Sequence, residues 1–131
     1  MTNFVNRLLN ALGMGETNSR MNDSFKPVSM EGLKDLHSDL MRMHVLLVED
    51  NEYNFSKTVL ETAALIQQAM TEPSSQAKYL RKSKEKFMGM WGGYGSLTDF
   101  YIANAPEGET EARRTEFGMV TGAIWMFYED N

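Results

Sequence analysis

The chain has 131 residues and a mass of 14.9 kDa, enough for one domain whose core needs no staples and too little for two. Thirteen Lys and Arg against eighteen Asp and Glu leave a formal charge of −5, which argues against a general DNA or RNA binder. With no cysteine the chain has no disulfide framework, Cys-ligated zinc site, iron–sulfur cluster or thiol nucleophile, and its eleven methionines are the one unusual count.

Residues 4–12, FVNRLLNAL, place Phe4, Val5, Leu8, Leu9 and Leu12 at helical spacing, with Gly13 as a stop. Asn6, Arg7 and Asn10 interrupt the run, so it lacks the continuous apolar stretch of a secretory signal. A short amphipathic helix in contact with the body or a partner is the expectation, in a cytosolic protein without a membrane span. Gly13 to Val28 is rich in Gly, Asn, Ser and Asp and has no period, which predicts a tether. The expected organisation is thus residues 1–28 as N-terminal helix and linker, and residues 29–131 as a helical domain.

Ser29 can cap the next helix, in which Met30, Leu33, Leu36, Leu40, Met43 and Leu47 keep a three-four spacing up to Glu49. Val45 to Val48, apolar all round, reads as its most deeply buried part. After the short turn Glu49-Asp50-Asn51-Glu52 a second helix runs from Asn51 or Asn54 through Phe55, Val59, Leu60, Ala63, Leu65, Ile66, Ala69 and Met70 to Pro73, antiparallel to the first. A third follows the Ser74-Ser75 pair from Gln76 to Met88, with Ala77, Leu80, Lys84 and Phe87 on one line and Lys78, Arg81, Lys82 and Lys86 around the rest. Beyond the Gly92-Gly93 break, Ser96 to Ala103 is expected as a short helix. The last segment, about Glu109 to Glu129, is polar at its start and apolar nearly all round at its end, which predicts a central buried helix. Gly118 and Gly122, one turn apart, would permit close backbone approach to a neighbour. A strand over Met119 to Tyr128 is the competing reading, but no comparable strand exists to pair with it. The fold class expected is all-α, a compact bundle of four to five helices with a tethered N-terminal helix.

The most specific stretch is Met90-Trp91-Gly92-Gly93-Tyr94-Gly95-Ser96-Leu97-Thr98-Asp99. Glycines opening onto a helix N-terminus can cradle an anion. Yet there is no G-K-[ST] ending, Thr98 breaks G-x-G-x-x-G, and no G-x-S-x-G elbow is formed. A structural turn accounts for more: Ser96 as N-cap with Asp99 three residues on approximates a capping box, and Gly92, Gly93 and Gly95 supply positive φ before it. The string GGYGSLTDFYI resembles the G-G-x-G-S-x-x-D signature of a family of small bacterial helical domains of unknown function. The likeness covers Gly92 to Ile102, with the preceding helical hairpin fitting more loosely and the N-terminal tail outside it. It implies a helical fold and no particular activity, and such small domains are frequent among toxin-neutralising immunity proteins, by analogy.

Chemistry-bearing patterns are sparse. His37 and His44 share a helix face, but their spacing matches neither H-E-x-x-H nor paired Glu-x-x-His sites. No local motif sets Ser96 against a histidine base, so no hydrolytic triad is expected. Catalytic residues, cofactor and metal are all expected to be absent. Charge is uneven: residues 29–72 carry net −5, residues 73–105 net +3 and residues 106–131 net −4. The acidic cluster Glu49, Asp50 and Glu52 can meet a basic partner and speed encounter. Met41 lies off the main apolar line and is the candidate interface methionine. The leading expectation is a non-catalytic protein-binding domain of the bacterial immunity or antitoxin-like kind, with Glu49, Asp50, Glu52 and Met41 meeting a protein partner such as a basic toxin. One alternative is a phosphate or small-ligand site on Gly93, Gly95, Ser96 and the Lys82–Lys86 run. Another is a structural or assembly protein docking through its first helix, and a homo-oligomer is left open.

Overall fold

The computed structural model describes residues 27–92 and 95–131. The amphipathic helix and nearly all of the tether expected over residues 1–28 lie outside the described residues, as do Gly93 and Tyr94. The described residues form α1 (Met30–Glu49), α2 (Tyr53–Thr71), α3 (Gln76–Met88) and α4 (Thr110–Asp130), with 3-10 turns at Pro73–Ser75 and Leu97–Asp99, and no strand among them. The fold is all-α. Helix, not strand, runs through Met119 to Tyr128.

Each helix boundary has a local cause. Ser29 caps α1 by accepting the Gly32 N–H at 3.0 Å. At the other end Asn51 adopts φ 63°, the left-handed conformation that Asn tolerates better than most residues. Its N–H bonds to Val48 O at 2.9 Å and that of Glu52 to Leu47 O at 2.9 Å, which closes the helix with a Schellman pair. α2 stops before Pro73, which has no N–H to give and opens the 3-10 turn.

Two short turns, α1 to α2 and α2 to α3, and one long connection from α3 to α4 make an up-down bundle. His44 Nδ1 near the end of α1 lies 3.0 Å from Ser56 O near the start of α2, so the two run antiparallel. Val28 N–H donates to Gln76 Oε1 at 2.8 Å, which ties the entry of α1 to the start of α3. Arg42 of α1 forks onto Glu116 of α4, the second of its bonds at 2.7 Å, and Arg113 of α4 reaches Glu49 of α1 at 3.2 Å. Early α4 therefore lies beside late α1, and α4 finishes near the entry of α1. The core runs through Leu33, Leu36, Leu40, Met43 and Leu47 of α1, Val59, Ala63, Ile66 and Ala69 of α2, Leu80 and Phe87 of α3, and Val120, Ile124 and Tyr128 of α4. Between α3 and α4 the rings of Phe87, Trp91, Trp125 and Tyr128 stand 5.5–5.9 Å apart in tilted and edge-on contacts. Beside them Tyr128 Oη donates to Ser83 Oγ at 2.8 Å, and Ser83 in turn donates to Leu80 O.

Four expectations need correction. The stretch after Ser96 is not a helix: only Leu97–Asp99 turns, Phe100 is extended, and no helix resumes before Thr110. Phe100 and Ile102 face inward while Tyr101 and Ala103 are exposed, a period of two that only extended backbone delivers. Val45 and Val48 are exposed, with only Leu46 and Leu47 buried between them, because the outer side of α1 has no described neighbour. α4 is a flanking helix rather than a central one, with Val120, Thr121, Ile124 and Tyr128 its buried residues. Gly118 and Gly122 make no close approach: a Cβ at either meets no described atom within 4 Å.

Candidate functional site

The acidic turn after α1 and the long connection from α3 to α4 come together at one end of the bundle, and Asp50 is what joins them. Its carboxylate is buried and accepts the Ala103 N–H at 2.9 Å and the Asn104 N–H at 2.7 Å, while Asn104 Nδ2 returns to Asp50 O at 3.2 Å. Asp50 is thus an internal clamp on the 100–109 loop. Its neighbours differ. Glu49 is exposed and shares Arg113 with Glu109, at 3.2 and 3.1 Å, and Glu52 is half-buried at the N-terminus of α2. Met41 is half-buried and packed against the core.

Two tyrosines dominate this end and had no signal of their own in the composition. Tyr53, the first residue of α2, is 61% exposed, and its hydroxyl donates to Asn51 Oδ1 at 2.9 Å. Tyr101 is 65% exposed and lies under the Arg114 guanidinium, 3.7 Å from the ring centroid. Arg114 is held in place by Ile102 O at 2.9 Å and Glu111 at 3.3 Å. The in-out alternation of Phe100-Tyr101-Ile102-Ala103, read as a strand-like period, would have marked Tyr101 as outward. Glu49 in the turn after α1, Glu107 and Glu109 in the loop and Glu111 at the start of α4 are exposed, and Arg113 and Arg114 are half-buried and already paired. The field at this end is negative.

The glycine turn uses its own donors. Gly92 and Gly95 have φ of 84° and 76°, the left-handed region that glycine enters without strain. The Gly92 N–H goes to Thr98 Oγ1 at 2.8 Å, and the Gly95 N–H to Asp99 Oδ2 at 3.1 Å. Ser96 Oγ accepts from Thr98 N–H at 3.2 Å, and Leu97 N–H reaches back to Met90 O at 2.7 Å. The Asp99 carboxylate stands against the backbone donor an anion would need, and adds a repelling charge. Gly93 lies outside the described residues.

The remaining candidates stay apart. His37 is half-buried, and among the described residues no group of three His, Asp or Glu is placed to hold a metal. In the basic run, Lys86 pairs with Glu61 at 3.1 Å and Lys78 lies over the Tyr79 ring at 5.5 Å. Arg81 and Lys82 are exposed on the outside of α3, well away along the chain from Ser96. Buried carboxylate bonding, as at Asp50, orders a loop; it does not by itself do chemistry.

No family model, curated protein or solved structure matches the chain. The functional reading therefore rests on the residues themselves. Among the described residues no helix is long and apolar enough to cross a membrane.

Proposed function

We propose that this protein is a non-catalytic binding protein that meets a basic protein partner with the loop-capped end of its bundle, in the manner of an immunity or antitoxin-like protein. The observation that carries this reading is the pair of exposed tyrosines, Tyr53 and Tyr101, each already fixed by a neighbour, at 2.9 Å for its hydroxyl and 3.7 Å for its ring respectively. Tyrosine offers a large amphipathic contact at low conformational cost, and a ring held before binding loses less freedom when it is covered. The exposed Glu49, Glu107, Glu109 and Glu111 of the same turn, loop and helix start give a cationic partner both attraction and orientation. A bacterial source and a cytosolic setting are part of this proposal. A turn that bonds its own N–H groups supports a structural part for the glycines rather than a phosphate site.

Affinity purification from cells of the native source at low salt tests the proposal. The wild-type chain should capture a basic protein that elutes as salt rises. The Tyr53→Ala/Tyr101→Ala double variant should lose it, since central tyrosines at an interface are worth about 2 kcal/mol each, roughly 30-fold in Kd. Its melting temperature should stay close to wild type, because both rings are largely exposed. Recovery of no protein, or capture unchanged by the double variant, overturns the reading.

A further inference from the structure

Exposed apolar side chains are not scattered over this molecule. Among the described residues six large hydrophobic side chains are exposed, and five of them, Met30, Val45, Val48, Tyr53 and Leu60, belong to α1 and α2. The contact of His44 Nδ1 with Ser56 O, at 3.0 Å, marks the seam along which these helices touch. On a helical wheel Met41 and Val48 are turned about 40–60° from His44, away from the core residues Leu40 and Leu47. Tyr53 and Leu60 are turned by about the same angles from Ser56, away from Val59 and Ala63. Both pairs therefore lie on the outer side of the seam. Met30 stands about five full turns before Val48 and points the same way, and Val45 faces almost directly away from the buried Met43 and Leu47. The result is an apolar strip along the outside of the α1–α2 pair, about 27 Å long from Met30 to Val48. Across two helices it offers a flat footprint of about 500 Å², the scale of a weak, reversible dimer rather than a permanent one.

Charge identifies the occupant. The net −5 of the chain repels a second copy wherever that charge is concentrated, as it is at the loop-capped end. The strip is different. On its flanks Arg42 is committed to Glu116 at 2.7 Å and Glu61 to Lys86 at 3.1 Å, and the exposed Glu31 is offset by the exposed Lys34 and Lys57. Along the outward line of α1 the two ends carry opposite charge. Lys34 is exposed and has no ion-pair partner among the described residues. Glu49 shares Arg113 with Glu109 and so keeps uncompensated negative charge. Between them stand Ser38, Met41 and Val45. A line that is cationic at one end, anionic at the other and largely apolar between is complementary to itself when turned antiparallel. A two-fold axis midway between Lys34 and Glu49 sets Lys34 of each copy against Glu49 of the other, and Ser38 against Val45.

We propose that the outer face of α1 and α2 is the contact between two copies of this chain, packed antiparallel on a two-fold axis with Lys34 of each against Glu49 of the other. Tyr53 borders this face, but the proposal does not rest on the partner reading, and its failure leaves that reading standing. Sedimentation of the full-length chain from micromolar to millimolar concentration should show a reversible monomer–dimer equilibrium. Val45→Glu, at an exposed position, should weaken association about tenfold and leave the melting temperature near wild type. Lys34→Glu and Glu49→Lys should each be monomeric alone, because like charges then meet at both ends of the contact. Mixed together they should form a dimer in which both contacts are again of opposite sign, a result that reads the pairing even where Val45→Glu unsettles the helix. A wild-type chain that sediments as a monomer throughout, dimerisation indifferent to Val45→Glu, or charge variants that fail to combine overturns the proposal. So does a monomer in which Val45→Glu moves the amide signals of residues 1–26, since that segment is then the occupant.

Discussion

Replacing Asp50 by alanine tests the central structural claim, that this carboxylate ties the 100–109 loop to the end of α1. The substitution removes the acceptor of two N–H bonds, 2.9 Å to Ala103 and 2.7 Å to Asn104. A hydrogen bond to a charged group contributes about 1.5–3 kcal/mol when both partners are shielded. Ala103 and Asn104 are themselves exposed, so water can re-enter and about 1 kcal/mol per bond is the better figure here. Asp50→Ala should therefore cost about 2 kcal/mol, roughly 8 °C in melting temperature for a domain of this size. Asp50→Asn keeps an acceptor oxygen and loses the charge, and should cost about half as much. Urea unfolding with an unchanged m-value gives the loss, and amide exchange at Ala103 and Asn104 locates it. The same variant frees Tyr101, so it should weaken partner capture beyond its effect on stability. An Asp50→Ala chain within about 0.5 kcal/mol of wild type, with exchange at both amides unaltered, would refute the clamp.

The Tyr128 phenol is pushed well above its usual range by burial, against a smaller opposing effect of its bond to Ser83. A raised folded-state pKa stabilises the fold fully below the unfolded value, about 10, and that contribution is lost as pH rises further; unfolding followed from neutral to alkaline pH should show it, and Tyr128→Phe should flatten the alkaline fall. The forked bond from Arg42, opposed by partial burial, holds the Glu116 carboxyl below its usual range. This stabilisation is present above the unfolded carboxylate value and fades as pH drops through the folded one. Both side chains are substantially exposed, so Glu116→Gln should cost under about 1 kcal/mol near neutrality, and less in high salt, by urea titration. Gly92→Ala should lower stability by about 1 kcal/mol, because φ of 84° strains any Cβ even where no atom stands near it. Gly118→Ala, in an exposed turn of α4, should raise it by about 0.5–1 kcal/mol through helix propensity; calorimetry on the two variants should give opposite signs.

The positions of the four helices were legible because the signals for them are local. Ser29, Pro73 and the Gly92 turn punctuate the chain, and the three-four spacing of Leu33, Leu36, Leu40, Met43 and Leu47 can be buried on one side only by a helix. The third helix, Gln76 to Met88, was readable to the residue for the same reason. Local pattern failed where apolar residues surround the axis. Neither Val45 to Val48 nor Phe117 to Tyr128 states which side meets a neighbour, so depth was overestimated for both. The 100–103 stretch was misread because a helical start at Ser96 is also the start of a single 3-10 turn. Beyond that turn, the path of the chain is set by which side chains the bundle end can accept. At the candidate site, the acidic turn was visible as charge, but charge alone does not say which carboxylate is free. Asp50, Glu49 and Glu52 look alike in the chain, and only the arrival of Ala103 and Asn104, more than fifty positions away, makes Asp50 internal. Composition and periodicity thus determined the all-α class and the approximate extents of the four helices. Tertiary structure decided which faces are inside and that Tyr53 and Tyr101 share one negative end, because those depend on long-range contacts that no window of sequence contains.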